Sequence, residues 1–250
     1  MTRHYIIMSS SYTDGKRIAL DITEDSRLNT DSIESIFSEI KRSCDEDVPL
    51  STHYIQTEAA SWRSVQQYDP FFEDVECVSS VTEFARKIKT DRDLKGLDVA
   101  NYIASQVLCT HVKLEKLVYL AYADYLCSFQ KKLFEDSIYA FTYGPVVDSV
   151  YSMYRQSGYA YIDPKEYDDD KQQAVRVEEM PAKSRILFAK DGVEKKQSID
   201  ATIRKYRSKS GSQLIDITHR KGSPWSFVDS TKMYQVISDD LILKHHSIEQ

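Results

Sequence analysis

The chain has 250 residues, 41% hydrophobic and 29% charged, with a formal net charge of −6, which supplies enough apolar material for a packed core and excludes global disorder. Only 7 Gly and 6 Pro are present, so a turn-rich β-sandwich and the glycine loops that cradle phosphates are disfavoured. No apolar run approaches the ~20 residues that span a bilayer, and the apolar stretch near Tyr5 is too short for a signal peptide, so the expectation is a cytoplasmic protein with no membrane partner.

The charge is unevenly placed. Residues 1–92 hold 11 Lys plus Arg against 17 Asp plus Glu, and residues 93–250 hold 22 of each. The boundary near residue 92 therefore separates an acidic N-terminal part from a balanced C-terminal one. An acidic patch suits a basic partner and disfavours nucleic acid, although a solvated face that aids solubility is the simpler account. Cys44, Cys77, Cys109 and Cys127 show no C-x-x-C pairing, which fits reduced thiols packed as small hydrophobes and no metal site.

In chain order, His4–Ser9 and Arg17–Ile22 have strand composition, and Asp14-Gly15 between them is a hairpin signal. Thr30 or Asp31 caps a helix with Ile33, Ile36, Phe37 and Ile40 on one face, ending near Cys44 before the acidic turn Asp45–Pro49. Thr52–Thr57 reads as a strand and Val81–Ile88 as a short helix capped by Ser79 or Ser80. Between them, Trp62–Val78 lacks periodicity; Trp62, Tyr68, Phe71 and Phe72 are expected to pack this loop onto a small α+β module in preference to forming an exposed recognition surface.

Ala100, Ile103, Ala104, Val107 and Leu108 place an apolar stripe on a helix that opens at Asp98. Thr110 caps the next helix, whose stripe of Leu114, Leu117, Val118, Ala121, Tyr122, Tyr125, Leu126 and Phe129 is wide enough to touch several elements. Tyr139–Tyr143 reads as a strand. Gly144 permits a sharp reversal, and Pro145 is expected at the first position of a helix, where its missing N–H costs nothing; Gly158 is an end signal. Over 159–196 the pattern suggests a hairpin of Ala174–Val177 and Arg185–Phe188 turning at Met180-Pro181, or a flexible excursion. Ser198 and Ser212 are expected caps for two further helices, and a helix from Met233 to His245 follows.

Catalytic signatures for nucleophile elbows, phosphate loops and zinc helices are missing. His245 and His246 point in different directions on a helix and read as a solvated helix end. His219 is the one histidine with a conceivable general-base role, but no nucleophile accompanies it. The favoured reading has Thr218 and His219 serving backbone groups at a helix end with Trp225 packed beneath. No catalytic residue and no cofactor are assigned.

Four segments in order carry a resemblance. They are Lys113–Ala121 (KLEKLVYLA), Phe141–Val146 (FTYGPV), Thr218–Trp225 (THRKGSPW) and Ile237–Leu243 (ISDDLIL). Together they resemble the Panacea, or SocA-like antitoxin, domain over approximately residues 97–246, with departures in the long acidic stretch 159–196 and in an extra Ser223; residues 1–92 resemble no known module. The resemblance implies an α+β chain whose mostly helical C-terminal domain, 93–250, carries a small hairpin and follows an acidic α+β module, 1–92. It also implies a non-enzymatic bacterial or phage antitoxin that neutralises a cognate protein toxin by direct binding. Two alternatives accompany it: an adaptor that delivers a toxin to the ClpXP protease through ClpX, and a phage-encoded inhibitor of a host defence protein. Partner contacts are expected at Tyr143, Gly144, Pro145, Thr218, His219 and Trp225; the alternative is that these positions are purely structural.

Overall fold

The structure is a computed structural model that describes residues 1–12, 15–23, 30–44, 48–162, 179–232 and 234–250. It divides into two compact units, Met1–Arg92 and Asp93–Gln250, and is α+β.

In the first unit, strands β1 (Thr2–Ser11), β2 (Lys16–Thr23), β3 (Ser51–Thr57) and β4 (Val75–Val78) form one sheet in the order β3-β1-β2-β4, with β4 parallel to β2 and the other pairs antiparallel. Alternation along β1 sends Ile7 to one face and Ile6 and Met8 to the other. The Ile7 face packs with Ile18, Leu20 and the helices α1 (Thr30–Cys44) and α3 (Val81–Arg92) through Ile40, Phe84 and Ile88. The opposite face is covered by Val65 and Phe72. Burial of both faces explains why HYIIMS is nearly all apolar. The turn residue Asp14 and residues 45–47 of the acidic turn lie outside the described residues. At α3, the Ser80 hydroxyl accepts from Glu83 N at 3.2 Å, as a cap should.

Trp62–Val78 is more ordered than its sequence suggests, since it holds helix α2 (Trp62–Tyr68), a 3-10 turn at Pro70–Phe72 and β4. Phe72 is buried and Trp62 Nε1 donates to Val75 O at 3.2 Å, so these two do pack the segment down. Phe71, although partly exposed, sets its ring against His53 and Phe72 at 5.3 and 5.1 Å; Tyr68 stays exposed.

The second unit is built around α5 (His111–Phe129), buried on every side against α4 (Gly96–Gln106), α8 (Gly192–Tyr206), α9 (Gly211–Thr218) and α10 (Asp239–His245). An all-round apolar helix must be a core helix. Its tyrosines bury their rings and keep partners for their hydroxyls: Tyr119 donates to Glu249, Tyr122 to Asp239 and Tyr125 to Glu194, at 2.7–2.9 Å. Thr110 caps it by accepting from Lys113 N at 3.4 Å. Short strands β5 (Cys109–Thr110) and β8 (Tyr161–Ile162) pair beside it. All four cysteines are free thiols, with Cys44 and Cys109 buried. No described helix is long and apolar enough to cross a membrane.

Several local expectations fail for tertiary reasons. Pro145 does not begin a helix: strands β6 (Ile138–Phe141) and β7 (Gly144–Val147) form a two-residue hairpin, and α6 (Asp148–Tyr154) starts after it. The β-branched Val146-Val147 favours the strand. Pro145 sits opposite Ala140, whose own N–H goes outward to Gln235 O at 2.8 Å, so no ladder bond is lost. Leu108 lies beyond α4 and is exposed.

Arg185–Phe188 is the end of a helix, α7 (Glu179–Phe188), and not a strand. Ile186 is buried, and Arg185 is anchored to Asp93 O at 2.8 Å; Ala174–Val177 lies outside the described residues. Met180 and Pro181 stand in the first turn of α7. Helix α8 starts at Gly192, six residues before Ser198, because Asp191 adopts φ +55° and turns the chain back. A Cβ on Gly192 would stand 2.4 Å from the carbonyl oxygens of Ile186 and Leu187, so only glycine permits this close approach. Ser210, not Ser212, caps α9, with Gln213 closing a capping box. The segment before α10 is not helical: Tyr139 bridges Val236, and Ile237 N donates to Ile138 O at 2.8 Å. Residues 235–237 thereby extend the hairpin, and Ser238 caps the shorter α10.

Candidate functional site

The hairpin β6–β7 gathers the six expected contact residues. Gly144 follows the Thr142-Tyr143 loop at φ +102°, a backbone that favours glycine. A Cβ there would lie 2.9 Å from Lys116 Cε and 3.0 Å from Thr218 Oγ1. Lys116 Nζ in turn donates to Pro145 O at 2.7 Å. Gly144, Pro145 and Thr218 are thus one buried junction between the hairpin, α5 and the end of α9. The Thr218 hydroxyl donates back to Leu214 O at 3.1 Å, as expected for a helix end.

His219 does not serve a backbone group through its side chain. Its ring stacks on Trp225 at 3.7 Å and 7° between planes, and its Nε2 is buried without a partner. Burial, followed by the nearby Lys116, lowers its pKa, so the ring is neutral at physiological pH. Trp225 Nε1 donates to Phe141 O at 2.9 Å, which ties the Thr-His/Trp segment to the hairpin. Tyr143, at the tip, is 71% exposed and is the only one of the six that lies open to solvent. Trp225→Phe keeps the stack on His219 and deletes only the bond to Phe141 O. The expected cost is about 0.5–1.5 kcal/mol, read as a lower denaturant midpoint at unchanged slope; an unchanged midpoint would show that this tie does not hold the hairpin.

Beside the hairpin lies a cavity of about 390 Å³. Glu115 and Lys116 line it, and both are 2% exposed. Glu115 Oε2 accepts from Val147 N at 3.4 Å, whereas Oε1 is buried with no partner. Burial drives Glu115 toward its neutral form and pulls the Lys116 pKa down, each against the opposing pull of the other. The aromatic wall comes from Phe141, which meets Tyr151 and Tyr234 edge-on at 5.4 and 5.7 Å. Arg155 and Lys232 stand exposed at the cavity. These residues were not expected from the sequence. The available signal was the adjacent Glu115-Lys116 pair in a helix whose other positions are overwhelmingly apolar.

A second buried polar cluster holds residues 246–249 onto α5. His246 is not part of a solvated helix end: its Nδ1 meets Glu249 Oε2 at 2.7 Å and its Nε2 meets Asp124 Oδ1 at 2.8 Å. Thr202 donates to Asp124 at 2.7 Å. Burial alone would lower the His246 pKa, but the two carboxylates hold it up to about 9.

A family model described as Antitoxin SocA-like, Panacea domain, matches residues 114–226. The match takes in the α5 motif from Leu114, the Phe141–Val146 hairpin and Thr218–Trp225. It leaves out Lys113, the Ile237–Leu243 segment and residues 1–92, so it is narrower than the resemblance over 97–246. Among curated proteins and solved structures, nothing matches the chain.

Proposed function

We propose, on the premise that residues 114–226 are a SocA-like Panacea domain, that the protein is an antitoxin-type chain acting by direct binding to a cognate protein toxin in the cytoplasm. The family match carries this reading. The hairpin supports it, because apolar side chains stand exposed on and beside it: Tyr143 at 71% and Val236 at 51%. Aromatic anchors around a rigid corner are what a small, tight interface requires. Within this reading Tyr143 is the direct contact. Gly144, Pro145, Thr218, His219 and Trp225 shape the surface from beneath, and the acidic unit 1–92 adds partner specificity. Binding needs no catalytic group.

The test is co-expression with the toxin encoded beside this protein. Growth should be rescued, the two chains should co-purify, and Tyr143→Ala should weaken both effects while leaving the melting temperature unchanged. Failure to rescue or to co-purify overturns the proposal. Toxin levels distinguish the mode: steady toxin with suppressed activity means sequestration, and a ClpX-dependent fall means delivery to ClpXP.

A further inference from the structure

We infer that the cavity beside the hairpin binds a small anionic ligand carrying a planar ring, of the mononucleotide class. The first observation is its size, about 390 Å³, within the range of small-molecule sites and too small for a folded partner segment. The second is its charge. Lys116, Arg155 and Lys232 line it against a single carboxyl, Glu115, and Asp229 stands 3.3 Å from Lys232. A cavity with this balance attracts anions, and Arg and Lys are the usual donors to phosphate.

The third observation is the aromatic wall. Tyr143 and Tyr234 line the cavity and remain 71% and 50% exposed, leaving ring surface for a base to stack on. Tyr234 holds its place at φ +58°, a left-handed backbone that costs a non-glycine residue free energy and tends to persist where a side chain must be aimed. Its ring is braced edge-on by Tyr139 at 5.4 Å and by Phe141 at 5.7 Å.

The fourth is the unpartnered Oε1 of Glu115, on a side chain that is 2% exposed. A buried polar atom without a partner is costly, and Glu115 is a lining residue of the cavity. Burial favours the neutral carboxyl, so Glu115 adds little negative charge to the cavity.

The experiment is isothermal titration of the full chain with AMP, GMP, CMP and UMP, then with adenosine and with inorganic phosphate. At least one mononucleotide is expected to bind at submillimolar concentration, with the nucleoside and phosphate alone about tenfold weaker or more. Tyr143→Ala and Arg155→Ala, both at exposed positions, should each weaken mononucleotide binding about tenfold without moving the melting temperature. Absence of heat with all four mononucleotides, or binding unaltered in both variants, overturns the inference. So does a result in which no mononucleotide binds while both variants lose the toxin, because the cavity is then a protein-docking site. No toxin is present in the titration, so its failure leaves the antitoxin reading to the rescue experiment, and the reverse also holds.

Discussion

His246→Ala is expected to destabilise the protein by about 3–5 kcal/mol, the usual cost of removing one member of a buried charged cluster. The imidazolium lies between Asp124 and Glu249, at 2.8 and 2.7 Å, and is 1% exposed. Its loss leaves the buried Glu249 and the partly buried Asp124 without their shared cation, with the Tyr119 and Thr202 hydroxyls as remaining donors to them and Tyr206 donating to the Glu249 backbone carbonyl. The pH dependence has a definite sign. Since the folded pKa is raised to about 9 from the ordinary 6.5, the contribution is complete below about pH 6.5 and disappears as the pH rises through 9. Its size is roughly 3 kcal/mol. Glu115 and Lys116 also shift between folded and unfolded states, so the quantity to measure is the difference between wild type and variant, by urea denaturation at pH 6 and pH 9.5. The difference should shrink toward alkaline pH. A constant difference would mean that His246 acts through packing alone.

Lys116→Ala is expected to cost about 2–5 kcal/mol, comparable with other long side chains truncated in a core. The four-carbon stem is 2% exposed and packs where a Cβ on Gly144 would fall, 2.9 Å from Lys116 Cε. Lys116→Met restores most of that volume and should recover stability to within about 1.5 kcal/mol of wild type. Burial already pushes the neighbouring Glu115 toward its neutral form, so removing the ammonium does not strand a full negative charge. If methionine proves as damaging as alanine, the bond from Nζ to Pro145 O outweighs the packing of the stem. Chemical denaturation at pH 7 decides between the two.

The elements that could be read from the sequence are those whose signal is local. The β1–β2 pair, α1, α3 and the central α5 follow from strand composition, a turn signal, helical spacing and caps such as Thr110 and Ser80, because these depend on residues within one or two turns. The order of the helical, Gly-Pro, Thr-His/Trp and Ile237–Leu243 segments carries a resemblance to the SocA-like domain over approximately residues 97–246, of which the family model matches 114–226. The Tyr143–Pro145 corner and Thr218–Trp225 also stood out as segments before any geometry was known.

What only the tertiary structure decided involves partners far along the chain. Pro145 lies in a strand because Ala140 turns its N–H to Gln235 instead, and residues 235–237 leave the helical pattern because the hairpin edge captures them. Arg185–Phe188 is helical because α7 packs on α4 and runs into the glycine contact at Gly192. His246 is buried because Asp124, 122 positions earlier, receives its ring nitrogen. The cavity is assembled from α5, the hairpin, Tyr151 of α6, Arg155, and Ser230, Thr231, Lys232 and Tyr234, and no short window of the sequence contains them all. Periodicity reports which face of an element is apolar; which surface that face meets, and which polar groups are carried inside with it, depends on long-range packing.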